Sequence, residues 1–417
     1  MNSKFILIYT LLISSSIFAN DNYDDIGYEI VRLNNEINNF NDLLNLDKEI
    51  RVQGGDFLYD SLSLAVEIFI DKASIGTPEF VDWITLSRKT AGDNPWTRYR
   101  STMIKSDASY LIEGTRGKAL YIGIQVYTQN NGFNQALREK NLSLDQVNFE
   151  QDEKFSIKIG SDADSNGIKI GEGDYMLIVR EYYSNGQIRQ ISPAQYTIKQ
   201  LSGDTESPFI PSLSDRVKKA NAFFSSLVES SLELTRQMAE NKNSSVEINV
   251  KPELVQALYP TTDNKYDGFY MQLSDNKKAL KLTGKIPIEV KYSSITFYNP
   301  YYVTTDYNKY KSYIVGDELE VENDGSYEVY ISSQYIKGKK NLIFTGGVSE
   351  GVVSIRYLGD IEPDFEIEIV DIDKIPNRNS QNSKEGGSFM YFELVILGLF
   401  FLYKRKRVYK LNYSISL

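Results

Sequence analysis

Eight residues from Gly92 to Tyr99, GDNPWTRY, bring together an acid, an amide, a cation and aromatic rings. Asn94 precedes a proline, which disfavours helical backbone and favours a sharp extended turn. One alternative is a purely structural turn, in which Asp93 and Asn94 accept backbone N–H groups and Arg98 pairs with Asp93. The other is a site for a sugar or another polar molecule, whose candidate ligand-binding residues are Asp93, Asn94, Arg98 and Tyr99.

A tyrosine-rich stretch beyond residue 290 is a second candidate site. Aromatic faces beside hydroxyl and amide groups suit polysaccharide binding, and alternate positions of a strand and its loop can line one groove. The alternative is half-buried strand tyrosines whose hydroxyl groups reach water. The candidate ligand-binding residues of this stretch are Tyr301, Tyr302, Tyr307 and Tyr310.

A third motif, D-x-D-x-N-G, matches the opening of a calcium loop and contains Asp162, Asp164 and Asn166. Such a loop needs a bidentate Glu at its twelfth position, and that position is Gly173. Calcium therefore remains only an alternative here, and we predict neither a metal nor a cofactor.

The composition limits the possible chemistry. The 417 residues include no Cys and no His, which excludes thiol nucleophiles, imidazole acid–base catalysis and the common His-based zinc sites. The net charge is −10 and the isoelectric point is near 4.9, which argues against nucleic acid as a partner. We expect a binding protein for a glycan or another polar polymer. The alternative is a glycan-active enzyme that uses paired carboxylates, with candidate acids Asp93, Asp306 and Glu289.

The elements that must position these residues begin with helices. Apolar residues at three- and four-residue steps predict a long helix from Ser212 to Glu240, about 43 Å in length. Ser212 or Ser214 can cap it, and we expect it to act as a strut between two β-rich halves. Helices are also predicted at Asp24 to Leu46, Phe57 to Ile70 and from Thr77-Pro78-Glu79 onward.

Short β patterns flank the long helix on both sides, and the two sides resemble each other. An arginine near a strand end forms either a structural salt bridge or a ligand clamp, and both interpretations stay open here. We predict a mainly β fold with accessory helices (α+β), made of two similar β-sandwich or jelly-roll-like units joined by the long helix. The anchors Gly114, Tyr127, Phe155, Asn166 and Arg180 recur at similar spacings as Gly284, Tyr298, Tyr327, Asn341 and Arg356.

The predicted strands of the first half are Tyr110 to Ile112, Ala119 to Tyr127, Phe155 to Ile159, Tyr175 to Tyr183 and Tyr196 to Leu201. Those of the second half are Ser245 to Val250, Gly268 to Leu273, Ala279 to Leu282, Ser294 to Tyr298, Leu319 to Glu322, Tyr327 to Ile331, Val352 to Leu358 and Phe365 to Val370. The expected organisation is a signal peptide at 1–19, a helical segment at 20–90, a first β unit at 91–205, a connecting helix at 206–243, a second β unit at 244–373, a linker at 374–387 and a tail at 388–417.

The stretch GDNPWTRY, followed by TRGKALYIGIQVY, resembles bacterial proteins of the domain-of-unknown-function family numbered 1214. Asp324-Gly325-Ser326 matches the family's DGS turn, whereas Trp96 replaces an Asp and the family's NWL tryptophan is missing at both Asn166 and Asn341. The resemblance covers roughly residues 56–371. It implies two β-sandwich or jelly-roll-like units with accessory helices, and it implies no activity.

Both ends of the chain carry targeting patterns. Lys4, the apolar run after it and the small residues up to Ala19 predict a secretory signal removed by signal peptidase. Near the C-terminus, Gly386-Gly387-Ser388 precedes an apolar run that would reach about 22 Å as a helix, short of a ~30 Å hydrocarbon core. A basic cluster, Lys404 to Arg407, follows this run.

This tail resembles the Gly-Gly sorting signal of Gram-negative bacteria, although ten residues, Val408 to Leu417, follow the basic cluster. The resemblance implies transient membrane contact and removal of the tail by a rhomboid-like protease. The alternative is an uncleaved single-span membrane anchor. We therefore expect an exported protein of the cell envelope or the medium, with a polysaccharide as a candidate partner.

Overall fold

The computed structural model describes residues 26–85, 87–128, 137–142, 153–171, 173–202, 210–245, 254, 257–287 and 289–376. The predicted signal peptide at 1–19 and the tail at 388–417 lie outside these residues, as does the predicted strand at 245–250 apart from Ser245. No helix among the described residues is long and apolar enough to cross a membrane.

The helices are α1 (Ile26–Leu44), α2 (Lys48–Val66, continued by a π-helical turn at Glu67–Asp71), α3 (Gly186–Ile191) and α4 (Leu213–Met238). The strands of the first half are β1 (Val81–Asp82), β2 (Arg98–Lys105), β3 (Ser109–Thr115), β4 (Tyr121–Thr128), β5 (Leu137–Leu142), β6 (Lys154–Ile159), β7 (Asp174–Tyr182) and β8 (Gln195–Ser202). Those of the second half are β9 (Asn264–Gln272), β10 (Lys278–Lys285), β11 (Ser293–Tyr298), β12 (Tyr313–Val315), β13 (Ser326–Ser332), β14 (Leu342–Phe344), β15 (Glu350–Leu358) and β16 (Phe365–Asp371).

The two halves have the same strand order. In the first, β2-β7-β4 forms the centre of one sheet and β6-β3-β8 forms the other. In the second, β9-β15-β11 and β13-β10-β16 repeat these arrangements strand for strand, and β12 and β14 are added at the edges. All of these repeated pairings are antiparallel. The predicted α+β fold with two similar β-sandwich units is therefore confirmed.

Strands β7 and β15 are buried on both faces, because each central sheet packs inward on its own sandwich and outward on the other unit. In β15, Tyr357 points inward and its hydroxyl lies 3.4 Å from that of Tyr327. The neighbouring Arg356 points the other way, toward the first unit. Successive side chains of a strand alternate between its faces, so the outward-facing positions of both central strands meet between the units.

Helix α4 begins as predicted: Ser212 is its N-cap, and its hydroxyl accepts a hydrogen bond from the backbone N–H of Asp215 at 3.1 Å. The helix is not an isolated strut, however. It packs against both α1 and α2 and also contacts β9 and β15. Its apolar face is buried in the same hydrophobic core that joins both units.

Helix α2 begins earlier than predicted, at Lys48 instead of Phe57, and it contains the pair Gly54-Gly55. A Cβ atom at Gly54 would lie 2.8 Å from both Ile37 of α1 and the ring of Tyr301. The glycine therefore permits a close approach of α1 and the second β unit to α2, which outweighs its low helix propensity.

Two other element predictions are wrong. The segment after Thr77 forms no helix, and its regular structure is the two-residue strand β1. Residues Leu319 to Glu322 are not a strand. Conversely, β2, β5, β12 and β14 were not predicted.

Candidate functional site

A cavity of about 840 Å³ lies between the two units. The first unit and the loop before it contribute Trp83, Asp93, Tyr99 and Arg180, and α4 contributes Leu234 and Met238. The second unit and the loop that enters it contribute Tyr259, Asn264, Tyr266, Tyr302 and Arg356, among others. Its size and its mixture of aromatic, apolar and charged side chains are typical of a small-molecule site.

The GDNPW turn is held in place by contacts with the second unit. Gly92 has φ +68° and donates its backbone N–H to the carbonyl of Tyr302 at 2.8 Å. Asn94 is buried and donates to the hydroxyl of Tyr292 at 2.9 Å. Trp96 adopts φ +65°, uncommon for a bulky residue, and its indole N–H donates to the hydroxyl of Tyr313 at 2.7 Å. The turn thus joins the two units.

Asp93 is buried in this turn and lines the cavity. The backbone N–H of Thr304 donates to its carboxylate at 2.8 Å, and the Thr304 hydroxyl also donates to it. Burial raises the pKa of Asp93 above its usual value near 3.8, although Lys89 and the bonds from Thr304 act in the opposite direction. Asp93 is therefore a buried acid that ionises less readily than an exposed one.

Arg356 extends from β15 into the cavity wall and is only 3% exposed. It donates to the hydroxyl of Tyr298 at 2.8 Å, to that of Tyr99 at 3.4 Å and to the carbonyl of Gly92 at 3.3 Å. Burial raises the pKa of Tyr298, so this partner is a neutral phenol at ordinary pH. The Nε of Arg356 is buried and has no hydrogen-bond partner among the residues that the structure describes.

Arg180 occupies the corresponding place in β7 and is 2% exposed. It donates to the hydroxyl of Tyr127 at 2.9 Å, to the side-chain oxygen of Gln125 and to the carbonyl of Tyr259. Burial raises the pKa of Tyr127 to about 12, so this partner is also neutral.

In the described part of the chain neither cavity arginine forms an ion pair with a carboxylate within 4.0 Å, although Arg356 helps to lower the pKa of Asp93 electrostatically. The other arginines that the structure describes in this region behave differently: Arg98 pairs with Asp82 at 2.9 Å, and Arg88 pairs with Glu67 at 2.5 Å. The structural salt bridge that sequence reasoning offered for Arg180 and Arg356 is therefore not present among the described residues. Arg98 itself pairs with Asp82 and not with Asp93, and it does not line the cavity.

Apart from the two arginines, the charged residues of the cavity lining are three acids, Asp93, Asp267 and Glu362, and one cation, Lys265. Lys265 and Glu362 form an ion pair at 3.3 Å and are the more exposed part of the lining. Among the cations that act on Asp93, Lys89 lowers its pKa most. Asp267 also lines the cavity and accepts the backbone N–H of Gly268 at 2.6 Å.

The tyrosine stretch is divided by the fold. Tyr302 lines the cavity. Tyr301 is fully buried, packs against Phe40 and Phe57, and donates its hydroxyl to Asn41 at 2.6 Å. This placement corrects the expectation that Tyr301 lines a groove.

The other two tyrosines also pack internally. Tyr307 is 8% exposed, with Lys89 over its ring and Trp96 at 5.4 Å between ring centroids. Tyr310 packs edge-on against Phe344. Neither tyrosine lines the cavity.

The structure does not bring the candidate enzyme acids together. Asp93 lines the cavity, whereas Asp306 pairs with Lys309 and Glu289 is exposed, and neither belongs to the cavity lining. In the calcium motif, Asp162 contacts Lys158 and Ser109, and Asp164 accepts the backbone N–H of Asn166 at 2.9 Å. Among the described residues, no three His, Cys, Asp or Glu side chains are placed to hold a metal.

The most distinctive residues of the site, Arg180 and Arg356, were not among the candidate ligand-binding residues. The sequence contained their signal, because both were anchors of the internal repeat. Trp83, Tyr259 and Tyr266 gave no such signal, since they come from a loop, a connecting segment and a strand that meet only in the folded chain.

Comparison with known proteins supports the fold. The chain matches no protein-family model and no curated protein. The crystal structure of an uncharacterised protein from Burkholderia cenocepacia is similar, with a TM-score of 0.72 and 17% identity over 83% of this chain and 98% of that chain. The VPA0106 protein from Vibrio parahaemolyticus matches with a TM-score of 0.44 and 12% identity over 75% and 98% of the two chains. The first of these likenesses shows a shared two-unit fold, and the resemblance to family 1214 stays a prediction.

Proposed function

We propose that this protein binds a small anionic molecule in the cavity between its two β units. The observation that carries this proposal is the pair of buried arginines, Arg180 and Arg356, that line the cavity with neutral partners only in the described part of the chain. Both guanidinium groups are charged at any physiological pH. A bound anion supplies the charge partner that the protein does not.

Electrostatics give the physical reason. A buried charge without a partner is strongly unfavourable, and removing one member of a buried ion pair typically costs about 3–5 kcal/mol. Phenol, amide and carbonyl oxygens solvate Arg180 and Arg356 without neutralising them, and burial disfavours the ionisation of Asp93, the cavity acid whose pKa Arg356 lowers. An anion that enters the cavity is attracted in a medium of low dielectric constant, where such interactions are stronger than in water.

The apolar part of the lining shapes the rest of the ligand. Trp83, Leu234 and Met238 provide aromatic and aliphatic surface, and Tyr99 and Tyr266 add rings with hydroxyl groups. The ligand is therefore a small organic anion, with its charge at the arginines and its carbon skeleton against these side chains. A long polymer fits this site less well, because Tyr301 and Tyr307 are buried and do not extend it into an open groove.

Export and C-terminal sorting remain part of the proposal on the strength of the sequence patterns alone, and glycan binding remains the alternative to a small anion. An exported protein that captures an organic anion would act as a binding component of the cell envelope. Catalysis through paired carboxylates is less well supported, because only Asp93 of the three candidate acids lines the cavity.

Thermal unfolding of the purified protein in the presence of organic anions tests the proposal. A ligand at 100 times its Kd adds about 2.7 kcal/mol to the free energy of unfolding, which raises Tm measurably. We expect carboxylates to raise Tm and their uncharged amides to leave it unchanged. The variant R356Q should lose the effect, whereas R236Q, which changes an arginine of α4 that is 39% exposed, should keep it. If no anion at millimolar concentration raises Tm of the wild type, the proposal is wrong.

A further inference from the structure

The two cavity arginines are duplicates of each other. Each is the seventh residue of its strand, β7 or β15. Each lies opposite a tyrosine of the neighbouring strand: Arg180 opposite Tyr99 and Arg356 opposite Tyr266. The guanidinium carbon lies 5.9 Å from the first ring centroid and 5.4 Å from the second.

Their polar partners are duplicated as well. Arg180 donates to Tyr127 of β4, and Arg356 donates to Tyr298 of β11, the equivalent strand. Each guanidinium has five N–H groups, and in the described part of the chain three of them are directed at neutral oxygen atoms. Among the described residues, the Nε of Arg356 has no hydrogen-bond partner, so at least this N–H is available to a ligand.

One tyrosine links the two arginines. Arg180 lies over the ring of Tyr99, and Arg356 donates to the hydroxyl of the same side chain. Tyr99 itself lines the cavity. The two positive groups therefore line the same cavity, and both contact Tyr99.

We infer that the ligand carries two separate anionic groups, one for each arginine, joined by a short organic spacer that packs against Tyr99. This inference rests on the proposed function and specifies its ligand as a small dicarboxylate or a molecule of the same charge pattern. A single anionic group neutralises one arginine and leaves the other charged and buried. Two groups neutralise both, and the distance between them sets the specificity.

Calorimetric titration of the wild-type protein with straight-chain carboxylates tests the two-group inference separately from the anion-binding proposal. The probes are dicarboxylates from malonate to suberate, monocarboxylates of the same chain lengths, and inorganic phosphate. We expect one dicarboxylate length to bind about tenfold or more tightly than its monocarboxylate, because one further charge-assisted contact forms. R180Q and R356Q should each reduce that dicarboxylate to about the affinity of the monocarboxylate, and the double variant should lose the remaining affinity for both.

Each other outcome is informative. If mono- and dicarboxylates bind equally, or phosphate binds best, the two-group inference is wrong while the anion-binding proposal stands. If no anion binds at all, the proposed function itself fails. Because the ligand series is measured on the wild type, it decides between these outcomes even if a variant does not fold, and R180K and R356K provide variants that keep the charge but lose the planar fork.

Discussion

Gly114 lies directly opposite Phe155 across strands β3 and β6, and in the second unit Gly284 lies opposite Tyr327 across β10 and β13. Neither glycine has room for a side chain: a Cβ atom at Gly114 would lie 2.0 Å from the carbonyl oxygen of Gln195, and one at Gly284 would lie 2.5 Å from the Tyr327 hydroxyl. The internal repeat therefore preserves a packing arrangement and not only a sequence pattern.

The variants G114A and G284A should each lower the free energy of unfolding by about 1–3 kcal/mol, because the added methyl group has no space. The matched control is G55A in α2, where nothing lies within 4 Å of the added atom. That variant should be neutral or stabilising by about 0.5–1 kcal/mol, since Ala favours helix more than Gly. Urea unfolding measures all three, and an unchanged midpoint for G114A would contradict the described register.

Tyr301 should behave as a core residue. Its ring is buried between α1 and α2, and its hydroxyl donates to Asn41, so Y301A should cost about 3–5 kcal/mol. The control is Y335A, because Tyr335 is 68% exposed and its loss should change stability by less than about 0.5 kcal/mol. If Y301A leaves Tm unchanged and removes binding to a glycan, the interpretation of Tyr301 as a ligand-surface residue would be restored.

The raised pKa of Asp93 predicts a pH effect on stability. In the folded state Asp93 binds a proton more readily than in the unfolded state, so its contribution to stability is present below about pH 3.8 and is lost as pH rises through the folded pKa. The wild type should therefore lose free energy of unfolding relative to D93N as pH rises through the folded pKa of Asp93. Asp371 is the control, because its pKa is shifted in the opposite direction, below the usual value.

Lys278 and Lys374 hold the pKa of Asp371 at about 2. Its contribution is present above the unfolded value of 3.8 and is lost as pH falls toward 2. D371N should therefore differ most from the wild type at neutral pH and least in acid. Denaturant unfolding between pH 3 and pH 7 checks both variants, and equal slopes for D93N and D371N would contradict the burial of Asp93.

Anion binding should show the pH dependence of Asp93 as well. Once ionised, this carboxylate repels an anionic ligand in the same cavity, so ligand affinity should fall as pH rises through the folded pKa of Asp93. In D93N this fall should be absent. The measurement is calorimetric titration of both proteins with one carboxylate whose own charge is constant over the range used.

The C-terminal pattern predicts removal of the tail near Gly386 to Phe389 in the native host. Intact-mass measurement of the mature protein should show a chain that begins at Asn20 and ends in this region. A membrane-associated species that still ends at Leu417 would instead support the uncleaved anchor.

The sequence by itself determined the long helix α4 with its Ser212 cap, most of the central strands and the duplication of the β unit. These features depend on local periodicity, capping and repeated spacing, which are readable along one chain. It also supplied Asp93, Tyr99 and Tyr302 as candidate site residues, and all three line the cavity. The early start of α2 was not predicted, and the reason for glycine at position 54 lies in its close contact with Tyr301 and Ile37, which only the folded chain shows.

Only the tertiary structure decided which faces of the two β units meet. That contact leaves Arg180 and Arg356 on one cavity, whereas packing on α1 and α2 buries Tyr301 and the pairing of β1 with β2 places Arg98 beside Asp82. The sequence places these two arginines 176 positions apart, by subtraction of 180 from 356. Their shared cavity and their lack of a carboxylate partner among the described residues follow from packing between distant elements, and no local pattern encodes such packing.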